Sequence, residues 1–402
     1  MRVNLESMRI LALTPRLPWP PVGGDKLRAH AFLSRLSRAH AVDLLSFVEH
    51  ADEEVQAREL ALRHPGISVE TVRLAPWRSR ANSLLGLASR EPLQVHYYRS
   101  AQMRARVEAR LSSTRYDAVY VHLLRMAQYV EHHTELRRVL DMTDAISMVF
   151  ARAQAVRRDW FRVVNAIEWG RVRRYEPEIV RRFDATVLIA EVDARELARN
   201  GAPEKRLAVV NNGVDRKYFA PTAETYEARR AVFVGNLHSF ANADAALRIA
   251  REIMPAIRTE LADASVDIVG VNPPASVRAY SGRDGVTVTG AVDDVRPYVE
   301  RAALSLCPVR VAGGVQNKIL ESLALGVPVV TSAEGFEGLG ARGEEDGLLV
   351  ARDVHGFRRA SVSLMLDTAM RRELGRRGVE FIARCYDWDR QVAALEAVLF
   401  GR

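Results

Sequence analysis

Cys307 to Ser332 reads CPVRVAGGVQNKILESLALGVPVVTS. Gly313 and Gly314 precede a short helix opening near Asn317, and Gly326 and Pro328 lead into a β-branched strand. A glycine loop running into a helix N-terminus gathers unpaired backbone N–H groups and the positive end of the helix dipole at one spot, which suits an anion. Lys318 adds a point charge there. Glu321, one turn further on, can accept two hydrogen bonds from a diol such as a ribose. The run Gly313, Gly314, Val315, Gln316, Asn317, Lys318 and Glu321 thus offers a phosphate cradle, a cation and a ribose acceptor within nine residues. A nucleotide diphosphate needs that set. The plainer alternative is an ordinary exposed helix on which Lys318 and Glu321 form an i, i+3 ion pair.

Three other places could meet the same ligand. In PWPPVGGDKLR, Gly23 and Gly24 follow the first strand and precede a helix beginning near Asp25. Backbone can approach a ligand closely there, and the helix N-terminus favours negative charge; a flexible turn with a proline-rich entry explains the same residues. Gly235-Asn236-Leu237-His238 follows the strand AVFV and is the equivalent turn of the second half, its amides facing a phosphate or simply closing a turn. His122 ends the strand AVYVH. The carboxyl end of a parallel strand places a histidine well for substrate contact, although a satisfied core histidine is commoner.

Alternating strand and helix signals must position these residues, and they argue for parallel α/β sheets in both halves. Strands are expected near Met8–Thr14, Ala41–Val48, Ser68–Leu74, Ala118–His122, Arg138–Asp141 and Ala185–Ile189. Helices are expected over about Lys26–Ala39, Glu53–Arg63, Ala101–Leu111 and an arginine-rich segment from Ser147 to Phe183 that Pro177 interrupts. LAVVNNGV (Leu207–Val214) reads as a strand ending in a tight turn, and Asp215–Arg230 is polar and without pattern. A second series of strands follows at 231–234, 266–271, 286–290, 304–309 and 328–332, with a helical tail from Ala360 to Leu399. The expected organisation is a first domain over 1–205, a linker over 206–230, a second domain over 231–375 and a C-terminal helix over 376–402 that crosses back. Doubly wound sheets bind ligands outside the carboxyl ends of their strands, here in a cleft between two such domains.

At 402 residues and 48% hydrophobic content, the chain can fill two cores. No apolar run approaches the roughly 18–20 residues of a membrane span. MRVNLESMRILALT has too short an apolar stretch for a signal peptide. Cys307 and Cys385, the only cysteines, are too few for a disulfide framework or a structural zinc site. A cytoplasmic protein is expected. Only four basic residues are lysines, and two of them, Lys26 and Lys318, fall shortly after glycine pairs, where a compact ammonium suits a phosphate. Residues 1–217 carry a net charge of +10 and residues 218–402 a net of −2. Such a basic half can meet an anionic substrate or membrane surface, or only solvent through surface ion pairs. Aromatic content of 7% and the absence of any nucleic-acid-binding signature argue against a nucleic-acid partner.

The helix bearing Glu321, followed by ALGVPVVTS, resembles the nucleotide-sugar-binding signature of glycosyltransferase family 4, retaining enzymes of the GT-B fold. VVNNGVD (Val209–Asp215) is similar to that family's interdomain segment. TPRLPWPPVGGDKLR resembles a bacterial subgroup associated with exopolysaccharide and exosortase loci, and EEDGLLVARD (Glu344–Asp353) and the late YDWDRQVAALEAVL also fit. Nearly the whole chain is covered. The resemblance implies an α/β GT-B architecture, two Rossmann-like doubly wound domains facing each other across a cleft. It implies that Glu321 is the second glutamate of a Glu-x7-Glu motif and holds the ribose, with Lys318 near the diphosphate and Gly235 and Asn236 on the donor side. Gly23 and Gly24 would lie beside the donor phosphates, Asp25, Lys26 and Arg28 on the acceptor side, and His122 against the transferred sugar. His122 and Lys318 are the expected catalytic residues.

Two positions depart from the pattern. Gly313 stands where the first glutamate of the motif falls, and Asn236, Leu237 and Asn242 occupy the region of the usual arginine and lysine. Lys26 or Arg28 is the expected substitute charge. The implied activity is retaining hexosyl transfer from a nucleotide-diphosphate sugar to a glycan, lipid-linked or small-molecule acceptor, in polysaccharide biosynthesis. No cofactor and no metal is expected, since no carboxylate cluster suited to one is visible. A cytoplasmic location is expected, and the +10 charge of the first half fits peripheral contact at an anionic inner membrane face as one alternative. The alternatives on the same fold are a nucleotide-sugar epimerase and a non-catalytic nucleotide-sugar-binding protein.

Overall fold

A computed structural model describes residues 7–222 and 226–401. Residues 1–6 and 402 of the expected domains, and 223–225 of the expected linker, lie outside the described residues. By internal packing the chain divides into two units. One comprises the residues up to Asn211 together with those from Asp389 onward, and the other Asn212–Trp388.

The first unit is built on β1 (Arg9–Thr14), β2 (Ala41–Val48), β3 (Ile67–Arg73), β4 (Ala118–His122), β5 (Arg138–Thr143), β6 (Ala185–Leu188) and β7 (Leu207–Val209). They form one sheet in the order β3-β2-β1-β4-β5-β6-β7, with every pairing parallel. A parallel sheet covered on both faces requires strands that are apolar almost continuously. RILALT, AVDLLSFV and AVYVH meet that requirement and are buried along nearly their whole length. Leu11, Leu13, Phe47, Val119 and Val121 join Met126, Tyr129 and Phe183 in one core. From β1 the chain winds outward to β2 and β3, then returns to β4 on the other side. The strand order therefore reverses between β1 and β4, which opens a crevice at their carboxyl ends.

The second unit repeats the plan with β8 (Glu227–Val234), β9 (Ser265–Val269), β10 (Val286–Gly290), β11 (Ala302–Cys307), β12 (Val329–Thr331) and β13 (Leu348–Val350). Their order is β10-β9-β8-β11-β12-β13, all parallel, with the reversal between β8 and β11.

Three expectations are corrected. Glu227–Arg230 is not patternless but opens β8, because its polar side chains find partners at the sheet rim: Arg230 donates to Asp267 at 3.0 Å and to Glu227 at 2.7 Å. The segment from Ser147 to Phe183 breaks at residues 157–160 rather than at Pro177, giving helices Ile146–Val156 and Phe161–Arg182. Asn165 ties the two together by donating to Phe150 O at 2.8 Å, and Tyr175, Glu176, Pro177 and Ile179 are all buried, so packing outweighs the proline's propensity. The tail is three helices, Val354–Leu366, Thr368–Cys385 and Trp388–Phe400, and Asp367 caps the second through the Met370 N–H at 2.9 Å.

Trp388–Phe400 packs within the first unit. Arg137 donates to Leu399 O at 2.9 Å and Val398 O at 2.7 Å, meeting the carbonyls a helix leaves unbonded at its end. Glu396 lies 3.3 Å from His40, and Asp389 lies 3.5 Å from Arg35.

Candidate functional site

In the second unit, the loops following β8 and β11 flank the strand reversal. Backbone packs tightly there: a Cβ on Gly270 would lie 1.7 Å from the Gly235 carbonyl oxygen, and one on Gly235 would strike the Asn242 amide at 2.9 Å. Asn242 therefore lies against the turn. It donates from Nδ2 to Asn236 O at 3.0 Å and accepts at Oδ1 from Lys318 Nζ at 3.0 Å. Gln316 Oε1 accepts a second hydrogen bond from Lys318 at 3.1 Å, and Gln316 Nε2 donates to Gly313 O at 3.2 Å. Two neutral amides hold the ammonium in place. Among the described residues no carboxylate lies within ion-pair distance of it, so the i, i+3 pair with Glu321 does not form.

Gly314 adopts φ 53°, in the left-handed region, and its carbonyl oxygen would sit 1.8 Å from a Cβ on Gly338. Val315 is buried behind the loop. The helix Asn317–Ala324 begins without a side-chain cap, leaving its first amides available to an anion. Asn317 Oδ1 accepts from Asn212 Nδ2 at 2.9 Å. Glu321 is half-buried on this helix. Burial pushes its carboxyl up to about 7 against the pull of Lys318. The second unit thus gathers Gly235, Asn236, Gly313, Gly314, Val315, Gln316, Asn317, Lys318 and Glu321 around one strand reversal.

In the first unit, Gly23 takes φ 96° to start the helix Gly24–Leu36. Asp25 in its first turn is hydrogen-bonded by Arg16. Burial works against that carboxylate, but the Arg16 guanidinium holds it below its usual range. Lys26 points to Glu53 at 3.9 Å. Arg28, expected on the acceptor side, is fully buried, with Nε 2.8 Å from Asp141 Oδ2.

Asp141 is the centre of this cluster. It accepts from Tyr120 Oη at 2.6 Å, and His122 Nδ1 lies 3.7 Å away. Burial opposes its charge, but Arg28 and His122 hold it well below the ordinary carboxylate range. With Nδ1 facing Tyr120 and Asp141, His122 keeps a buried Nε2 that has no hydrogen-bond partner among the described residues. Leu123 and Thr143, just past His122 and Asp141, take φ 67° and 68°. Non-glycine residues in that region carry backbone strain. The Asp144 carboxyl is raised to about 6 by burial, with Arg28 opposing and Asp141 adding to the rise.

Sequence reasoning missed Asp141, Tyr120, Asp144 and Arg16, and gave Asn242 no role beyond an absent charge. The one available signal was the pair of aspartates closing β5 in LDMTD. Among the described residues no three His, Cys, Asp or Glu side chains are grouped as metal ligands would be.

The architecture has counterparts among solved structures. Sucrose-phosphate synthase from Thermosynechococcus elongatus superposes with a TM-score of 0.70 at 16% identity, covering 97% of this chain and 98% of that one. Anabaena Alr3699/HepE in complex with UDP-glucose gives 0.70 at 14% identity, covering 98% and 100%. The chain therefore has the GT-B glycosyltransferase fold. The family model Glycosyl transferases group 1 matches residues 228–367, which lie within the second unit. A D-inositol 3-phosphate glycosyltransferase of Acidothermus cellulolyticus is 26% identical over 412 residues, 94% of this chain and 86% of the relative. Another from Kribbella flavida is 28% identical over 243 residues, 53% of this chain and 55% of the relative, so that alignment spans about half of each.

Proposed function

We propose that this chain transfers a sugar from a nucleotide-diphosphate sugar to a hydroxyl acceptor, with retention at the anomeric carbon and without a metal. The carrying observation is Lys318 held by the amides of Asn242 and Gln316 beside two glycine turns, with the Glu321 carboxyl on the same helix. The second unit takes the donor: Glu321 accepts from the ribose hydroxyls, and Lys318 with the amides after Gly313–Gly314 meets the diphosphate. The structural relative bound to UDP-glucose supports a donor of that kind.

In the reaction the bond from the anomeric carbon to the β-phosphate oxygen breaks and one from that carbon to the acceptor oxygen forms. The acceptor proton passes to the leaving phosphate, whose growing charge Lys318 and the helix amides stabilise. The first unit takes the acceptor, a glycan, a lipid-linked glycan or a small molecule. There His122 offers the substrate a hydrogen bond from Nε2, and Arg28, Asp141 and Tyr120 fix its ring. A thermal-shift series over nucleoside diphosphates and then the matching sugar donors identifies the base, since a ligand of the folded state raises its stability. NMR of the product's anomeric proton tests retention, and an inverted product would overturn it. Activity surviving exhaustive chelation tests metal independence. Gly313, in place of a carboxylate, favours a second reading as a binding protein; nucleotide binding with neither transfer nor donor hydrolysis would establish it.

A further inference from the structure

The first unit exposes apolar side chains on two segments that meet. The helix Pro76–Leu85 and the turn after it expose Trp77, Leu84, Leu85 and Leu87, with Leu85 at 79%. Around the start of the helix Phe161–Arg182, Trp160 at 68%, Phe161, Val163, Val164 and Ile167 are exposed. Arg171 Nη2 donates to Leu87 O at 2.6 Å, and the Leu93 N–H donates to Glu168 at 2.8 Å. Residues 164, 167, 168 and 171 follow helical spacing, so the exposed stripe runs toward Leu87 from the turns just before these bonds. The first turns of this helix are inverted: polar Asn165 and Glu168 are buried while the apolar residues face outward. A helix that only meets water has the opposite arrangement.

Arginines outnumber acids around this patch. Residues 76–90 contain Arg78, Arg80 and Arg90 and no acid. Residues 157–174 contain six arginines and two acids, and both acids are engaged by arginines of the segment, Asp159 by Arg157 at 2.9 Å and Glu168 by Arg171 at 2.9 Å. Among the described residues no helix is long and apolar enough to cross a membrane. Exposed tryptophan and leucine rimmed by surplus arginine complement the boundary between acyl chains and anionic headgroups.

We infer that this face docks on an anionic lipid bilayer, with Trp77, Leu84, Leu85, Trp160, Phe161 and Ile167 entering the headgroup region and the surrounding arginines meeting lipid phosphates. The docking stands apart from the transfer reaction. Its consequence, that a lipid-linked acceptor would be met in place instead of by diffusion, rests on the transferase reading.

Flotation of the full chain with phosphatidylcholine vesicles containing phosphatidylglycerol, against phosphatidylcholine alone, tests it. Binding to the mixed vesicles that weakens with added salt is expected, together with quenching of tryptophan fluorescence by brominated acyl chains. Arg78→Glu with Arg80→Glu should weaken partition by about tenfold or more, and Leu84→Ser with Leu85→Ser should abolish the quenching while the melting curve is retained. No flotation with phosphatidylglycerol at low salt would overturn the inference, as would flotation indifferent to both variants. A concentration-dependent dimer in sedimentation, lost in the same leucine variant without any lipid binding, would assign the face to self-association instead.

Discussion

Each unit has its own crevice at the reversal of a parallel sheet, and the two are built in opposite electrostatic ways. In the first, the charged groups answer one another: Arg28 and Asp141 are both fully buried 2.8 Å apart, and Tyr120 and His122 close around them. In the second, the cation is held by Asn242 and Gln316, which position it without cancelling its charge. A carboxylate partner would satisfy Lys318 in the absence of ligand and would then have to be displaced, or would repel the phosphate. Neutral amides fix the geometry and leave the field for the ligand. One unit spends its charges on rigidity, and the other keeps a charge in reserve.

The largest test of this contrast removes the carboxylate facing Arg28. Asp141→Ala should lower stability by about 3–5 kcal/mol, because a buried guanidinium loses its counter-charge; a denaturation midpoint close to that of the parent would break the comparison. Lys318→Ala should leave the fold nearly untouched but reduce transfer by about a hundredfold, read as kcat/KM against the donor identified by thermal shift. Asn242→Asp sharpens the point further. It keeps the side chain's shape and gives Lys318 the carboxylate it lacks, so nucleoside diphosphate affinity should fall by about tenfold, and unchanged affinity in calorimetry would show that neutrality is irrelevant.

The smallest effect is a pH dependence. Glu321 is raised to about 7 by burial; in the proposed reading the ribose meets its ionised form, so nucleotide affinity should strengthen as pH rises through about 7, and Glu321→Gln should flatten that dependence. The stability sign is opposite. A carboxyl whose folded pKa exceeds its unfolded value holds its proton longer in the folded state, so its contribution falls as pH rises from the ordinary glutamate range to about 7. Glu321→Gln removes that slope from the melting temperature.

Much of the fold could be read from sequence because buried parallel strands leave continuous apolar runs such as RILALT and AVYVH. EARR at the start of β8 carries a polar sequence because its partners lie at the rim. The glycine turns and the Lys318–Glu321 helix were legible because their chemistry is local. The rest of the site is made by pairs far apart in the chain: Arg28 and Asp141 are separated by 113 residues, and Asn242 and Lys318 by 76. Spacing says nothing about such pairs. Nor does it show that Arg28 faces inward, since the helix Gly24–Leu36 buries arginine and phenylalanine together.

The chain enters the second unit at Asn212 and leaves it at Trp388, and the two passages run side by side, with the Val214 N–H donating to Tyr386 O at 2.8 Å and Gly213 against the Trp388 ring. The second unit is thus an insertion in the first, which is completed only by the helix Trp388–Phe400. During synthesis the earlier strands emerge long before the helix that supplies Glu396 and the carbonyls for Arg137. Until then that seat on the nascent first unit stays open, so the first unit is completed late in synthesis.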